Sequence, residues 1–130
     1  MAIQTPNSTV GLLINNPSPQ PDGSVSNPNI VSMAAAGSTQ VTAVALTAPT
    51  TIITNNTAAN GVILPVGSKG QVVTVIPQLA TNAPRIYPPV GGTVNFGTVN
   101  VHAAAPAQRR TSFQCLDTAG LTWASDSLTA

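Results

Sequence analysis

Charged residues are almost missing from this sequence. Of its 130 residues, four are Lys or Arg and three are Asp, and Glu does not occur. The formal net charge is +1, and Arg109 and Arg110 form the only charge cluster, so the basic face that binds nucleic acid is absent. A monomer usually keeps itself soluble with mixed surface charges. We therefore expect no nucleic-acid partner, and a surface that is rich in Thr, Ser, Asn and Gln and partly covered in an assembly.

The residue types that carry out catalysis and bind metals are equally scarce. His102 is the only histidine and Cys115 the only cysteine, so one chain cannot supply a His/Cys ligand set for zinc. The three aspartates, Asp22, Asp117 and Asp126, do not suggest the paired carboxylates of general acid–base catalysis. We expect a protein that is not an enzyme and that holds no metal and no cofactor.

Long apolar runs are missing as well. No residue between Gly23 and Ser68 is charged, but polar residues and prolines interrupt this stretch too often for the roughly 20 apolar residues of a membrane span. The N-terminus has no basic region, and its apolar piece covers only residues 10–14, which is too short for a secretory signal. We expect neither a membrane partner nor secretion.

Residues 1–36 read as an extended arm. Five prolines and many Asn and Ser residues make a regular helix or a central strand improbable there. The arm also carries apolar residues that a purely solvated linker does not need, namely Val10, Leu12, Leu13, Ile14, Ile30 and Val31. These side chains favour an arm that docks on a partner, and the alternative is a disordered tail.

From residue 37 to residue 130, short runs of Val, Ile and Thr are separated by Gly, Pro, Asn and Asp. Alternation of apolar and polar residues predicts strands, and no helical period extends beyond a turn or two. The predicted strands are 40–47, 50–54, 61–64, 71–76, 85–87, 93–102, 111–116 and 121–124, with a bulge at Gly97. The sequence therefore predicts an all-β domain, a small β-sandwich or barrel of about eight short strands after an extended N-terminal arm.

Aromatic residues are too few to fill a large core. The residues that we expect to be buried are Val73, Val75, Phe96, Phe113, Cys115 and Trp123. The alternation of Thr111, Phe113 and Cys115 favours a small buried cysteine over a nucleophile. Since Ala, Val and Thr bury less apolar surface than Leu or Phe, a domain of this size gains little stability from its own core. This thin core favours oligomerisation.

Several short elements follow one another in a recognisable order. They are Ala36-Gly37-Ser38, Gly61-Val62-Ile63-Leu64-Pro65, residues 70–75, Ile86-Tyr87-Pro88, Gly91-Gly92, Phe113-Gln114-Cys115 and Trp123. In this order and spacing, over about residues 34–125, the chain resembles small virion surface proteins of tailed bacteriophages. That group includes capsid decoration (cement) proteins and β-domains of head spikes and fibres.

The resemblance implies a structural protein, made in the host cytoplasm and located on the capsid surface of the virion. It implies a homotrimer that binds the major capsid protein and stabilises its shell. In that setting the arm is a capsid anchor, and Arg109 and Arg110 are candidates for contact with an acidic capsid surface. The alternative for the two arginines is a solvated loop that pairs weakly with Asp117 or Asp126.

A second function is compatible with the same resemblance. The domain would then belong to a head or tail fibre and recognise glycans on the host surface. The loops at residues 81–85 and 103–110 are the candidate binding loops for that function.

Overall fold

The computed structural model describes residues 30–55 and 57–126. In these ranges the chain forms ten strands and no helix. The strands are β1 (Ile30–Met33), β2 (Val44–Ala45), β3 (Thr50–Ile53), β4 (Gly61–Ile63), β5 (Val72–Pro77), β6 (Arg85–Tyr87), β7 (Thr93–Val94), β8 (Ala103–Ala104), β9 (Thr111–Cys115) and β10 (Thr122–Ser125). They form a six-stranded sheet in the order β1-β3-β5-β9-β10-β7 and a four-stranded sheet in the order β2-β4-β6-β8. The predicted all-β fold is confirmed.

The first six strands alternate between the two sheets. β1, β3 and β5 lie side by side and parallel in one sheet, and β2, β4 and β6 do the same in the other. In the first of these sheets Ile30 lies opposite Thr50, and Thr50 in turn lies opposite Thr74. Residues 30–87 therefore form three stacked coils, in which a strand of one sheet serves as the crossover of the other.

The last four strands close the domain mainly with antiparallel pairs. β9 pairs antiparallel with β5, β10 with β9, and β8 with β6, while β7 lies parallel to β10. β1 and β7 are consequently the edges of the six-stranded sheet, and β2 and β8 those of the four-stranded sheet. The two strands of the first coil, β1 and β2, therefore each have a neighbouring strand on one side only among the described residues.

The hydrophobic core lies between the two sheets, since side chains from both form one buried cluster. Its larger members are Leu46, Ile53, Val62, Leu64, Val73, Val75, Ile86, Val94, Phe113 and Trp123. Buried and less buried positions alternate along β9, as a half-buried strand requires. Five of the six residues that the sequence assigns to the core are buried: Val73, Val75, Phe113, Cys115 and Trp123.

The connection between β1 and β2 is fastened to β6. The hydroxyl of Tyr87 donates to the carbonyl oxygen of Ser38 at 2.9 Å, and Arg85 Nη1 donates to the same oxygen at 3.0 Å. Gln40 Nε2 donates to the carbonyl oxygen of Pro88 at 3.1 Å. Gly37 has φ +79° at the start of this connection, and a Cβ there would overlap the carbonyl group of Thr42. These bonds tie the first coil to the third.

Two predicted strands are shorter in the structure. Residues 40–43 form a turn closed by a hydrogen bond from Ala43 N to Thr39 O at 2.9 Å, so only Val44–Ala45 remains of the strand predicted at 40–47. Of the strand predicted at 93–102, only β7 is a strand, and it is followed by a series of turns. β8 begins just after the predicted segment, at Ala103. A turn replaces the bulge that the sequence predicts at Gly97.

Phe96 was wrongly assigned to the core by the sequence. Its side chain is 76% exposed. The chain reverses at Asn95 and Phe96, which both have positive φ, so Phe96 lies in a turn beyond the end of β7 and not on the inner face of a strand.

Candidate functional site

An exposed apolar surface lies in the segment 90–101, which we call the apolar loop. Four of its side chains are large, apolar and exposed: Val90 (73%), Phe96 (76%), Val99 (52%) and Val101 (47%). Single exposed apolar residues are common on protein surfaces, whereas a cluster of them marks an interaction site. No Asp, Glu, Lys or Arg occurs between Ile86 and Gln108.

The ends of the apolar loop are held together by hydrogen bonds. Asn100 Oδ1 accepts from Gly91 N at 2.7 Å, and Asn100 N donates to Gly92 O at 2.9 Å. Asn100 is flanked by Val99 and Val101, and Gly91 follows Val90, so these bonds join the two ends of the loop that carry the three valines. Gly92 packs against the backbone of Leu121, where a Cβ would overlap the carbonyl oxygen. Three of the four exposed side chains are therefore carried by one closed structure.

The fourth side chain, Phe96, is displayed by a tight turn. Asn95 and Phe96 have φ values of 54° and 58°, and Gly97 N donates to Val94 O at 3.0 Å to close the turn. Asn tolerates this left-handed conformation, whereas a residue such as Phe loses about 1–2 kcal/mol in it. A strained residue that is also an exposed aromatic is a candidate binding residue.

The side chain of Asn95 anchors this turn to the last strand. Asn95 Oδ1 accepts from Ser125 N at 2.7 Å, and Asn95 Nδ2 donates to Ser125 Oγ at 3.0 Å. The backbone N–H of Asn95 donates to Trp123 O at 2.7 Å. Phe96 therefore extends from a turn whose position is fixed by the sheet, so little conformational entropy is lost when a partner covers it.

A second exposed surface is formed by two neighbouring loops at residues 78–84 and 105–110, which we call the paired loops. Ala105 N donates to Pro84 O at 3.2 Å, and Gln108 N donates to Pro77 O at 3.0 Å. The structure thereby brings together the two segments that the sequence offers as glycan-binding loops. Arg109 and Arg110 are exposed on this surface, and neither forms an ion pair with a carboxylate among residues 30–55 and 57–126.

The residues predicted to anchor the arm are only partly described. Val10, Leu12, Leu13 and Ile14 lie outside the described residues. Ile30 and Val31 form the first half of β1, and the side chain of Ile30 is 46% exposed. The chain therefore enters the six-stranded sheet at its edge, ahead of the predicted end of the arm at residue 36.

The pKa values of His102 and Asp117 are both lowered by their surroundings in the fold. The ring of His102 lies edge-on to Tyr87, with 5.2 Å between ring centroids, and partial burial followed by the charge of Arg85 lowers the pKa of His102 below 6.5. Asp117 Oδ1 accepts from Leu121 N and Thr122 N, and Oδ2 accepts from Thr122 Oγ1. Hydrogen bonds, with that from Thr122 N the largest cause, lower the pKa of Asp117 below 3.8.

In the part of the chain that the structure describes, no three His, Cys, Asp or Glu side chains are grouped in a way that would hold a metal ion. Among the same residues, no helix has the length and apolarity to cross a membrane. Cys115 is buried in the core and belongs to neither exposed surface.

Sequence reasoning missed Val90, Val99 and Val101, and it misplaced Phe96. The signal was present in the turn-forming residues that interrupt this region, Gly91-Gly92, Asn95 and Gly97, which favour a folded loop over one long strand. Comparisons with protein families, with curated proteins and with solved structures found no match to this chain.

Proposed function

We propose that this protein is a structural virion protein that decorates and stabilises a bacteriophage capsid as a homotrimer. The observation that carries the proposal is the apolar loop: four large exposed apolar side chains on a loop that hydrogen bonds hold in shape. Such a surface fits a protein partner better than a small substrate. The choice of a phage shell as the partner rests on the resemblance to virion surface proteins described above.

Burial of the apolar loop supplies the binding energy in this proposal. A Val or Phe side chain that becomes fully buried contributes about 1.5–3 kcal/mol. The loop is already ordered by the bonds of Asn95 and Asn100, so most of that contribution is retained on binding. Because the loop carries no charged residue, its contact with a shell depends only weakly on salt concentration.

The N-terminal arm and the oligomer add to this contact. Several copies in one assembly present several loops and arms to the shell, and each further contact forms at a high effective concentration. Arg109 and Arg110 lie on the paired loops, outside the apolar loop, and offer a charged contact to an acidic capsid surface. Together these contacts would bridge neighbouring subunits of the major capsid protein and oppose their separation.

The test of the proposed function is co-sedimentation of the full-length protein with expanded phage shells that lack it. We expect saturable binding at a fixed ratio to the capsid subunits. A chain without residues 1–29 measures the contribution of the arm, and the cut stops at residue 29 because Ile30–Met33 forms part of the sheet. Absence of saturable binding by the full-length protein would overturn the proposal.

A second candidate function is recognition of a host-surface glycan by the paired loops. It is favoured by one observation: backbone hydrogen bonds to Pro84 and to Pro77, the residue before the first loop, place residues 78–84 beside residues 105–110, which carry two exposed arginines. An acidic glycan is the ligand that these arginines fit. A glycan array with the full-length protein and an Arg109→Ala/Arg110→Ala variant tests this function, which requires binding by the first and none by the second.

A further inference from the structure

The outer face of the six-stranded sheet carries a depression of about 400 Å³ over β5, β9 and β10. Gln114 of β9 lies opposite Val72 on one side and opposite Ala124 on the other, and residues directly opposite on neighbouring strands share a face. The preceding residue, Phe113, is fully buried in the core, so Gln114 faces outward. The depression, which we call the sheet groove, is lined by Val72, Ser112, Gln114, Ala124, Ser125 and Asp126. Small-molecule sites in proteins have volumes of about 300–1,000 Å³, so the groove has room for a small ligand.

The carboxylate in the sheet groove is held in place by the backbone of β9. Ser112 N donates to Asp126 Oδ1 at 2.8 Å, and Asp126 N donates to Ser112 O at 3.0 Å. The hydroxyl of Ser112 lies 3.0 Å from that of Thr74 on the neighbouring strand. A ligand that enters the groove therefore meets polar groups that are already in position, and little conformational entropy is lost when it binds.

The sheet groove also keeps acceptor atoms that no described residue uses. Asp126 Oδ1 accepts from Ser112 N, whereas Oδ2 has no donor among residues 30–55 and 57–126. Gln114 Nε2 makes a long bond of 3.5 Å to Gly70 O, and its Oε1 accepts from none of the same residues. A carboxylate accepts from hydroxyl groups, and a primary amide both accepts from them and donates to them. The groove can therefore form several hydrogen bonds to a ligand that carries hydroxyl groups.

The charge of the sheet groove narrows the class of ligand. Asp126 is the only charged residue among the six that line it, so the groove repels anions. A metal ion such as Ca²⁺ requires several oxygen ligands, and no three His, Cys, Asp or Glu side chains are grouped for this within the described ranges. Val72, whose side chain is 46% exposed, and Ala124 add a small apolar surface. A neutral sugar combines hydroxyl groups with a C–H face and fits this set of side chains.

We infer that the sheet groove binds a neutral sugar unit of a glycan. Asp126 and Gln114 form the hydrogen bonds, and Val72 and Ala124 cover the C–H face of the sugar. This inference does not rest on the proposed function. The sheet groove shares no residue with the paired loops, and its ligand is neutral, whereas the arginines of those loops fit an acidic glycan. Because no aromatic ring lines the groove, a single sugar unit binds weakly.

An NMR titration of the isotope-labelled full-length protein tests the inference. The probes are two matched pairs, glucose with glucuronate and galactose with galacturonate. We expect at least one neutral sugar to cause saturable shifts in the amide resonances of residues 112–114 and 124–126. The corresponding uronate carries a carboxylate that Asp126 repels, so it should bind at least threefold more weakly. Asp126→Asn keeps one oxygen for Ser112 N and should abolish this preference.

A larger side chain in the sheet groove provides a second measurement. Ala124→Leu should weaken the binding of the same sugar at least tenfold, because the added atoms occupy the groove. Ser32→Leu is the matched control, since Ser32 is exposed on β1 and does not line the groove, and it should bind like the unaltered chain. The spectrum of each variant without sugar shows that it is folded.

Three results would overturn the inference. The first is the absence of saturable shifts with either neutral sugar, and the second is equal binding of a sugar and its uronate. The third is a set of shifts confined to residues 78–84 and 105–110, which would assign the sugar to the paired loops. An Arg109→Ala/Arg110→Ala variant separates the two surfaces directly, since its affinity for the neutral sugar should be unchanged.

Discussion

The side chain of Asn95 forms hydrogen bonds with Ser125 that join the turn after β7 to the end of β10. Asn95 Oδ1 accepts from the backbone N–H of Ser125 at 2.7 Å, and Asn95 Nδ2 donates to its hydroxyl at 3.0 Å. The next residue after Asn95 is the exposed Phe96. One amide side chain thus links the fold of the sheet to the most prominent apolar side chain of the apolar loop.

Replacement of Asn95 should destabilise the domain and release the turn. Asn95→Ala removes the side-chain bonds to Ser125 and places a residue that disfavours left-handed φ at 54°, so we expect a loss of about 1–3 kcal/mol in the free energy of unfolding. Urea denaturation measures this loss. Asn95→Gly is the matched control, since it removes the same bonds but tolerates the backbone angle, and it should lose less. Equal losses would show that the backbone angle contributes nothing.

Replacement of two buried threonines should stabilise the domain. Thr51 and Thr111 are fully buried on either side of Val75, and their Oγ1 atoms have no hydrogen-bond partner among the described residues. Thr51→Val and Thr111→Val replace each unpaired hydroxyl with a methyl group of similar size. We expect each variant to gain about 1 kcal/mol in the free energy of unfolding.

The control for these variants is Thr74, which is also buried. Its hydroxyl lies 3.0 Å from Ser112 Oγ, so Thr74→Val removes a hydrogen bond and should destabilise the domain. Thermal unfolding of the three variants ranks them directly. A lower unfolding temperature for Thr51→Val or Thr111→Val would mean that its hydroxyl has a partner in solution.

The bond between Tyr87 and Ser38 should contribute to the stability of the first coil. Tyr87→Phe leaves the ring and its edge-on contact with His102 in place but removes the donor to the Ser38 carbonyl. We expect a loss of about 0.5–1.5 kcal/mol in the free energy of unfolding. The loss should be accompanied by faster hydrogen exchange in residues 36–43. Unchanged hydrogen exchange in residues 36–43 would show that the Tyr87 hydroxyl does not hold the connection between β1 and β2 in place.

Asp117 should make the stability of the domain depend on pH at the acidic end. Its folded-state pKa lies below the ordinary value of 3.8, chiefly because of the hydrogen bond from Thr122 N. The carboxylate therefore contributes stability that is fully present above that ordinary value. The contribution is lost as the pH falls from about 4 through the lower folded-state pKa.

Asp117→Asn should flatten the dependence of the unfolding temperature on pH below about 4. The amide keeps one oxygen for the backbone donors of Leu121 and Thr122, so the turn is retained in part. Parallel thermal scans of both proteins between about pH 2 and pH 6 measure the effect. Parallel slopes for the variant and the unaltered chain would assign the acid sensitivity to another group.

The strands with regular alternation were predictable from the sequence, whereas the connections of the coils were not. The buried residues of β9, such as Phe113, follow from period-two alternation. In β5 the successive residues Val73, Thr74 and Val75 are all buried, and alternation accounts only for the two valines. The parallel stacking of β1, β3 and β5 does not follow from the sequence, because alternation gives the two faces of a strand but not its neighbours.

The position of Phe96 in the candidate site was less predictable, because it too depends on contacts between distant parts of the sequence. The run Thr93-Val94-Asn95-Phe96 has the composition of a strand that continues into the core. Whether the chain continues or reverses there depends on the backbone angle at Asn95, which the bonds to the distant Ser125 determine. The turn-forming residues Asn95 and Gly97 favour a folded loop, but the contact with Ser125 that fixes the turn is too far along the sequence to leave a local pattern.

The most direct test of the account is the binding of a Phe96→Asn variant to expanded shells that lack the protein. Asn favours the left-handed angle that the turn requires, so the variant removes the aromatic ring without disturbing the fold. Val41→Asn is the control, since Val41 is 85% exposed in a different turn. The account predicts that Phe96→Asn weakens saturable shell binding at least tenfold and that Val41→Asn does not. Unchanged binding by Phe96→Asn, or equal weakening by both variants, would contradict the apolar loop as the docking surface.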